Sequence, residues 1–236
     1  IILKRYSNTS IKKADAIIVG GGDGFMLKTI KKLYKLNKPF YGINCGSVGF
    51  LLNKYDTKKV LEKINKAKIT IVNPLQVQTI NKLKRRSSFL AINELSLFRQ
   101  SKQTSLLKLK INNKILIKRL IGDGVLLSTP AGSTAYNMSV NGPILSLNSK
   151  KIAITPISPF RPRRWKGKII SERNSIYITN LDPKKRPIAA VADNNEIRNI
   201  VKVKVSINKA IKFKLLFNSS ESLYKKIKSE QKRKIS

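Results

Sequence analysis

The chain has 236 residues and a net charge of +37, because 49 Lys and Arg residues outnumber 12 Asp and Glu residues. This length allows one or two domains, and a hydrophobic fraction of 41% can fill a core, which excludes wholesale disorder. Cys45 is the only cysteine and histidine is absent, so an intrachain disulfide, a Cys/His zinc cluster and an imidazole base are excluded. We therefore expect any acid–base chemistry to come from carboxylates, Lys, Tyr or water.

The basic residues are spread along the whole chain, so most Lys side chains are expected on solvated faces. Such a charge attracts polyanions, but neither a zinc-finger spacing nor the interleaved aromatic and basic residues of single-strand binders is found. No apolar run approaches the roughly 18 to 20 residues of a membrane span. The sequence begins at Ile1 without a secretory signal. We expect a cytoplasmic location, no membrane partner and no specific nucleic-acid partner.

The first 70 residues alternate between strand and helix patterns. Strands are predicted at 14–19 and 39–43, and helices at 25–36 and 56–67, the second with Asp56 as its N-cap. This alternation predicts a parallel sheet with helices on its faces.

Short strand patterns at close spacing follow residue 74. They cover 77–80, 89–98, 106–111, 115–120, 125–128, 152–154, 176–179, 189–192 and 200–207. They predict an all-β sandwich, and residues 211–234 have the pattern of a basic helical tail. The predicted domains are therefore 1–70, completed by the tail 208–236, and 71–207.

The segment from Gly20 to Gly24 contains four glycines and Asp23 at a predicted strand-to-helix junction. Gly21, Gly22 and Gly24 would let the backbone approach an anion at the helix N-terminus, so they are the predicted phosphate loop. The spacing fits neither a Walker A loop nor a dinucleotide-binding fingerprint. A carboxylate beside phosphates would hold Mg²⁺ or take a proton from an attacking hydroxyl; alternatively, Asp23 only caps the helix.

Two other segments combine polar groups in unusual contexts. Asn93 and Glu94 interrupt an apolar strand pattern, which predicts a buried, hydrogen-bonded role unless they face solvent. Asp123 lies in a second Gly-Asp-Gly, and residues 129–136 follow it with small and hydroxyl side chains that suit a polar ligand or a plain turn.

In their order along the chain, these motifs closely resemble those of the NAD kinases. The matching segments are 21–24, 46–51, Asn93-Glu94, 123–124, 132–137, 141–145 and 155–160, together covering about residues 14 to 207. The whole set, together with residues 160–165 and 190–193, is most similar to the bacterial, alphaproteobacterial type. Gly-Gly-Asp-Gly is shared with lipid kinases and phosphofructokinases, whereas the block from Asp123 to Leu145 is highly specific.

This resemblance implies an α/β N-terminal domain with a Gly-rich loop, plus an all-β sandwich C-terminal domain. It implies transfer of the γ-phosphoryl group of ATP, or of a phosphoryl group of polyphosphate, to the 2′-hydroxyl of the adenosine ribose of NAD. Mg²⁺ would arrive with ATP, and no tightly bound prosthetic group or metal-ligating residue is expected. Members form dimers and tetramers, so a homodimer or homotetramer is expected.

The resemblance also implies roles for individual residues. Asp23 would be the general base, and some NAD contacts would cross a subunit boundary. The expected substrate-binding residues are Asp23, Gly24, Phe50, Asn93, Glu94, Asp123, Ala131, Thr134, Ala135, Tyr136, Asn137, Met138, Ser139, Ser158, Asp193 and Asn195.

The chain departs from the family pattern at three places. Ile121 stands where many relatives have Arg, and Asn194 where many have His. The first strand and helix of the family are mostly missing ahead of the Gly-rich loop, so we expect a trimmed or short beginning. Two other hypotheses are a lipid kinase, which shares the Gly-rich loop, and a basic nucleic-acid-binding protein on a kinase scaffold.

Overall fold

The computed structural model describes residues 10–47, 49–56, 58–219 and 226. The chain divides into two compact units, one formed by 1–72 with 212–236 and the other by 73–211. We call them the first and the second unit. No helix among the described residues has the length and apolar character needed to cross a bilayer.

The secondary structure alternates at the start of the chain and is mostly strands thereafter. The first elements are β1 (Ile17–Gly21), α1 (Asp23–Leu33), β2 (Phe40–Asn44), α2 (Val60–Lys66) and β3 (Lys68–Val72). The second unit contains β4 (Leu75–Asn81), β5 (Arg86–Ala91), β6 (Glu94–Arg99), β7 (Ser105–Ile111), β8 (Lys114–Gly122), β9 (Gly124–Ser128), α3 (Tyr136–Ser139), β10 (Lys151–Ile157), β11 (Lys168–Ser171), β12 (Ile176–Asn180), β13 (Ile188–Ala192), β14 (Asn195–Ile197) and β15 (Ile200–Ile207). β16 (Phe213–Phe217) belongs to the first unit.

The first unit contains a four-stranded sheet in the order β1-β2-β16-β3. β2 pairs in parallel with β1 and β16, and β3 runs antiparallel to β16. The predicted helical tail is wrong for Phe213–Phe217, because Phe213, Leu215 and Leu216 are buried when this segment forms an inner strand. Residues 220–225 and 227–234 of the predicted tail lie outside the described residues.

The second helix begins later than its sequence pattern predicts. α2 starts at Val60 and its N-cap is Lys59, whose φ is 52°. Asp56 lies in the preceding turn, where its carboxylate accepts a hydrogen bond from the Lys58 N–H (2.8 Å) and pairs with Lys63. The prediction of Asp56 as an N-cap is therefore wrong, because the side chain closes a turn instead.

The second unit contains two six-stranded sheets that share one hydrophobic core. One has the order β11-β10-β9-β6-β13-β14, which we call the β6 sheet, and the other has the order β5-β4-β15-β12-β7-β8, which we call the β12 sheet. The core is formed by fully buried aliphatic side chains such as Leu95, Leu97, Val125, Ile176 and Val205. The predicted all-β sandwich is confirmed.

The apolar run 89–98 forms two strands, and the prediction of one continuous strand is wrong. β5 ends at Ala91 in the β12 sheet and β6 begins at Glu94 in the β6 sheet. The chain thus crosses from one sheet to the other through Ile92 and Asn93. The polar pair lies at this crossing: Asn93 is between the two strands, and Glu94 is the first residue of β6.

Candidate active site

In the first unit, the Gly-rich segment connects β1 directly to α1. Gly22 is the N-cap in extended conformation (φ −106°, ψ 176°), and Asp23 is the first helical residue. A Cβ added to Gly22 or Gly24 would meet no atom within 4 Å. The segment therefore leaves open space beside a helix N-terminus, which suits an anion.

The Asp23 carboxylate binds a neighbouring loop and does not cap its own helix. Its Oδ2 accepts a hydrogen bond from the Phe50 N–H (2.8 Å), and its Oδ1 accepts one from the Leu51 N–H (2.9 Å). The carboxylate is thereby fixed in direction at the end of the glycine loop.

Burial raises the pKa of Asp23 above its ordinary value of 3.8. The two backbone N–H groups and the positive charge of Lys226 act in the opposite direction, because they favour the ionised form. The net result is a carboxylate that is more basic than an exposed aspartate. It is suited to accept a proton.

The loop that holds Asp23 is itself fixed from two sides. Lys226 donates to the carbonyl oxygens of Phe50 (3.4 Å) and Leu52. The buried Asn53 amide donates to the carbonyl oxygens of Gly42 (3.1 Å) and Leu216 (2.9 Å). Backbone segments that are distant in sequence thus position the two N–H groups that bind the carboxylate.

In the second unit, Asn93 and Glu94 lie beside the turn between β13 and β14. The Asp193 carboxylate accepts hydrogen bonds from the backbone N–H groups of Ile92 (2.8 Å), Asn93 (2.9 Å) and Glu94 (3.4 Å). Asn195 begins β14 on the other side of the same turn and is exposed. These predicted site residues are therefore brought together at one end of the β6 sheet.

Two buried side-chain oxygens of this pair have no hydrogen-bond partner among the described residues. Asn93 Oδ1 and Glu94 Oε2 are inaccessible to solvent and form no hydrogen bond within the described part of the chain. Leaving a buried polar atom unpaired costs about 1–3 kcal/mol, so such atoms indicate a place where a ligand supplies the missing group.

The Glu94 carboxyl is protonated at neutral pH. Burial, and next the negative charge of Asp193, raise the pKa of Glu94 from 4.5 to about 8. A neutral carboxyl can donate a hydrogen bond as well as accept one. The Glu94 carboxyl can therefore donate one hydrogen bond to a ligand, and the unpaired oxygens of the pair can accept others.

Residues 129–134 pack directly on this crossing. The Thr129 N–H donates to the Asn93 carbonyl (2.9 Å), and the Thr129 hydroxyl donates to the Ile92 carbonyl (2.7 Å). A Cβ on Gly132 would lie 2.1 Å from the Asn93 carbonyl oxygen, so only glycine allows this approach. The segment is thus part of the site and more than a plain turn.

The remaining predicted residues of this loop differ in exposure. Tyr136 and Ser139 are exposed, Ala135 and Met138 are half-buried, and Ala131, Thr134 and Asn137 are buried. The Asn137 amide donates to the Pro143 carbonyl (2.9 Å) and accepts from the Thr155 hydroxyl (2.7 Å). The Asn137 side chain therefore stabilises the loop through hydrogen bonds within the protein.

Asp123 and Ser158 lie at the other end of the β6 sheet. β6 and β9 pair from Glu94 opposite Ser128 to Phe98 opposite Gly124. At about 3.3 Å per residue, Asp123 is therefore about 16 Å from Glu94. Ser158 directly follows β10, whose last residue, Ile157, accepts a hydrogen bond from the Asp123 N–H (3.0 Å).

Arg99 is a site residue that the sequence patterns did not indicate. Its Nε lies 2.5 Å from Asp123 Oδ1, in a half-buried ion pair. Arg99 thus supplies a guanidinium beside Asp123. Charged residues commonly follow an apolar strand pattern, and Arg99 ends β6 in this ordinary way. The sequence therefore contains no signal that marks Arg99 as a site residue.

A pocket of about 290 Å³ lies on the outer face of the β6 sheet. Its lining includes Phe98, Arg99, Tyr136, Val191 and Arg198. The lining also contains Glu196, which pairs with Arg198 (2.6 Å), and Arg99 pairs with Asp123, so each guanidinium of the cavity already has a carboxylate partner.

The described residues contain no group of three or more Cys, Asp or Glu side chains that could hold a metal ion. Mg²⁺ commonly binds through one or two carboxylates together with substrate phosphates and water. The residues present therefore fit a magnesium ion only when phosphate oxygens supply most of its ligands.

The fold is shared with a solved NAD kinase. A solved NAD kinase from Archaeoglobus fulgidus in complex with ATP superposes with a TM-score of 0.73, at 23% identity, over 97% of this chain and 92% of that one. This likeness confirms the predicted fold, an α/β domain with a β-rich second domain.

The sequence comparisons identify the family. The ATP-NAD kinase N-terminal domain matches residues 2–69 and the ATP-NAD kinase C-terminal domain matches residues 92–230. An NAD kinase from Caulobacter vibrioides is 41% identical over 96% of this chain and 87% of its own length. One from Rickettsia rickettsii is 44% identical over 98% and 90%. The chain belongs to the NAD kinase family of phosphotransferases, which confirms the resemblance seen in its motifs.

Proposed function

We propose that the chain transfers the γ-phosphoryl group of Mg²⁺-ATP to the 2′-hydroxyl of the adenosine ribose of NAD, giving NADP and releasing ADP. The observation that carries this proposal is the Asp23 carboxylate, which two backbone N–H groups fix beside an open glycine loop. Asp23 acts as the general base: it accepts the proton of the 2′-hydroxyl as this oxygen attacks the γ-phosphorus.

The glycine loop and the N-terminus of α1 hold the phosphates of the donor. Gly22 and Gly24 leave room for phosphate oxygens next to backbone N–H groups. Mg²⁺ supplies charge neutralisation on those phosphates when bound, with few ligands from the protein. The donor is ATP, and polyphosphate is an alternative donor for the same loop.

The second unit binds NAD in this proposal. Asn93 and Glu94 supply the unpaired oxygens, and Thr134, Ala135 and Tyr136 lie in the loop that packs against them. Met138, Ser139 and Asn195 complete the set of proposed contacts in the second unit. Phe50, whose N–H binds Asp23, is a proposed substrate contact of the first unit. Asp123 and Ser158, about 16 Å from Glu94 along the sheet, serve an NAD molecule bound mainly by another subunit of a homodimer or homotetramer. A cytoplasmic location belongs to the same proposal.

The test is NADP formation by the wild-type protein and by Asp23→Asn. We expect the variant to lose about 10²- to 10⁴-fold in kcat, because its amide cannot accept the proton. Because the pKa of Asp23 is raised, the acidic limb of the wild-type pH profile should lie above the range of an ordinary aspartate.

Asp56→Asn is the matched control, since it removes an exposed carboxylate from the same unit. The control should keep wild-type activity. Full activity of folded Asp23→Asn would refute the assignment of the base. Parallel reactions with polyphosphate in place of ATP, and with NADH in place of NAD, determine the donor and the accepted acceptor.

A further inference from the structure

We propose that Asp193 is a positioning residue for the Asn93–Glu94 pair and not itself an NAD ligand. Its carboxylate holds the backbone of 92–94 so that both side chains present their unpaired oxygens to the substrate. The inference rests on the proposed function of the same site.

The first argument is the backbone geometry at the crossing between the two sheets. Ile92 and Asn93 lie between the ladders of β5 and β6, and Glu94 is the first residue of β6, so the N–H groups at this strand end need acceptors outside a continuous ladder. Asp193 accepts from these three groups at 2.8, 2.9 and 3.4 Å, using both of its oxygens. Hydrogen bonds to an ionised acceptor are stronger than neutral ones, so this carboxylate fixes the crossing.

The second argument is that Asp193 is itself held in place. It lies in the short turn between β13 and β14 with a φ of 50°, a left-handed conformation that Asp tolerates better than most residues. Its own N–H donates to the Glu94 carbonyl (3.1 Å). Asp193 and Glu94 are therefore bonded to each other in both directions, which fixes their relative position.

The third argument is that two side-chain oxygens held by this arrangement have no hydrogen-bond partner among the described residues. Asn93 Oδ1 and Glu94 Oε2 remain buried without a partner among the described residues. Without Asp193, the crossing could relax and turn these oxygens to water. Asp193 thus maintains an unfavourable arrangement that a bound substrate converts into hydrogen bonds.

Asp193 also affects the charge of the pair. Its negative charge adds to burial in raising the pKa of Glu94, so the carboxyl keeps its proton at neutral pH. Removing this charge should lower the pKa of Glu94. Because NAD binding in this proposal requires the neutral Glu94 carboxyl, binding by the variant would then begin to weaken at a lower pH than binding by the wild type does.

The experiment measures kcat and KM for NAD across pH for the wild type, Asp193→Asn and a matched control, Asp182→Asn. Asp182 also accepts a backbone hydrogen bond in a turn of the second unit (Lys185 N–H, 3.1 Å). Asp193→Asn should raise KM for NAD about tenfold or more, change kcat by less than about threefold, and shift the alkaline rise of KM to lower pH. Asp182→Asn should behave as the wild type.

Glu94→Gln is the second variant, because its amide has nearly the same shape as the neutral carboxyl and should fold even where Asp193→Asn does not. It should remove the alkaline rise of KM, and Asp193→Asn added to it should no longer shift the pH profile. Unchanged KM in Asp193→Asn, equal effects of Asp182→Asn, or a persistent alkaline rise in Glu94→Gln would each overturn the proposal. An inactive wild type would instead refute the proposed function.

Discussion

At the scale of single residues, two buried carboxyl groups of this chain differ in what surrounds them. Burial raises the pKa of both Asp23 and Glu94. Asp23 receives two backbone N–H groups and the charge of Lys226, whereas Glu94 faces the negative charge of Asp193. The first carboxyl is therefore suited to accept a proton, and the second stays neutral and able to donate a hydrogen bond.

The protonation of Glu94 has a consequence for stability. Between its unfolded pKa near 4.5 and its folded pKa of about 8, the native state binds more protons at Glu94 than the unfolded state does. The wild type therefore loses stability as pH rises through this window, whereas Glu94→Gln has no such loss. The free energy of unfolding of the variant should gain on that of the wild type by at most about 1.4 kcal/mol per pH unit.

Urea denaturation at pH 5.5 and 8.5 measures this difference. Glu62→Gln provides a control without a pH-dependent gap in this range: Lys66 lowers the pKa of Glu62 below its ordinary 4.5, so this carboxyl is ionised in both states above pH 5.5. A gap between wild type and Glu94→Gln that stays constant with pH would show that Glu94 is not protonated in the native state.

At the scale of elements, hydrophobic patterning predicted most strands but not where they change sheets. Residues 89–98 are apolar throughout, so the pattern cannot show that β5 and β6 belong to different sheets. β11 and β14 were not predicted, because they are short edge strands with several exposed residues. The tail strand β16 was read as helix because its burial comes from pairing with residues more than a hundred positions away.

The same limit applies to the site. Asp23, Asn93 and Glu94 were indicated by their local context, namely a carboxylate among glycines and a polar pair in an apolar run. Arg99 and the backbone contacts of Asp193 depend on strand register, which a local pattern does not contain.

The packing of residues 129–134 on the crossing gives a prediction for one glycine. In Gly132→Ala, the new Cβ would lie 2.1 Å from the Asn93 carbonyl oxygen and 2.3 Å from the carbonyl carbon, so the backbone must move. We expect a loss of about 1–3 kcal/mol in the free energy of unfolding, and a higher KM for NAD because Asn93 moves.

Gly46→Ala serves as its control, because the nearest atom to an added Cβ there is 3.6 Å away, in ordinary contact. This change should stay within about 0.5 kcal/mol of the wild type in urea denaturation. Equal free energies of unfolding for Gly132→Ala and Gly46→Ala would contradict this prediction, because the 129–134 segment would then move away from Asn93 without loss of stability.

At the scale of the whole molecule, the excess of positive charge can be followed on the β12 sheet. The six strands of the β12 sheet contain no acidic residue. On one of its faces, Lys110 and Lys204 flank Tyr177 across neighbouring strands, and Lys108 and Lys202 flank Thr179 in the same way. These like charges add to a long-range field instead of cancelling in ion pairs.

This field predicts how the reaction responds to salt. Both substrates carry phosphates, and Mg²⁺-ATP is more negative than NAD, so the field should accelerate encounter with ATP more. Raising the ionic strength from about 0.02 to 0.2 M shortens the screening length from about 20 to 7 Å. We expect kcat/KM to fall for both substrates, more steeply for ATP, while kcat at saturation changes little, because screening acts on the encounter and not on the bound substrates. Initial rates in NaCl, with potassium acetate as a second salt to separate screening from specific ion binding, measure these slopes. Equal slopes for the two substrates, or a fall confined to kcat, would show that the +37 charge does not steer the substrates.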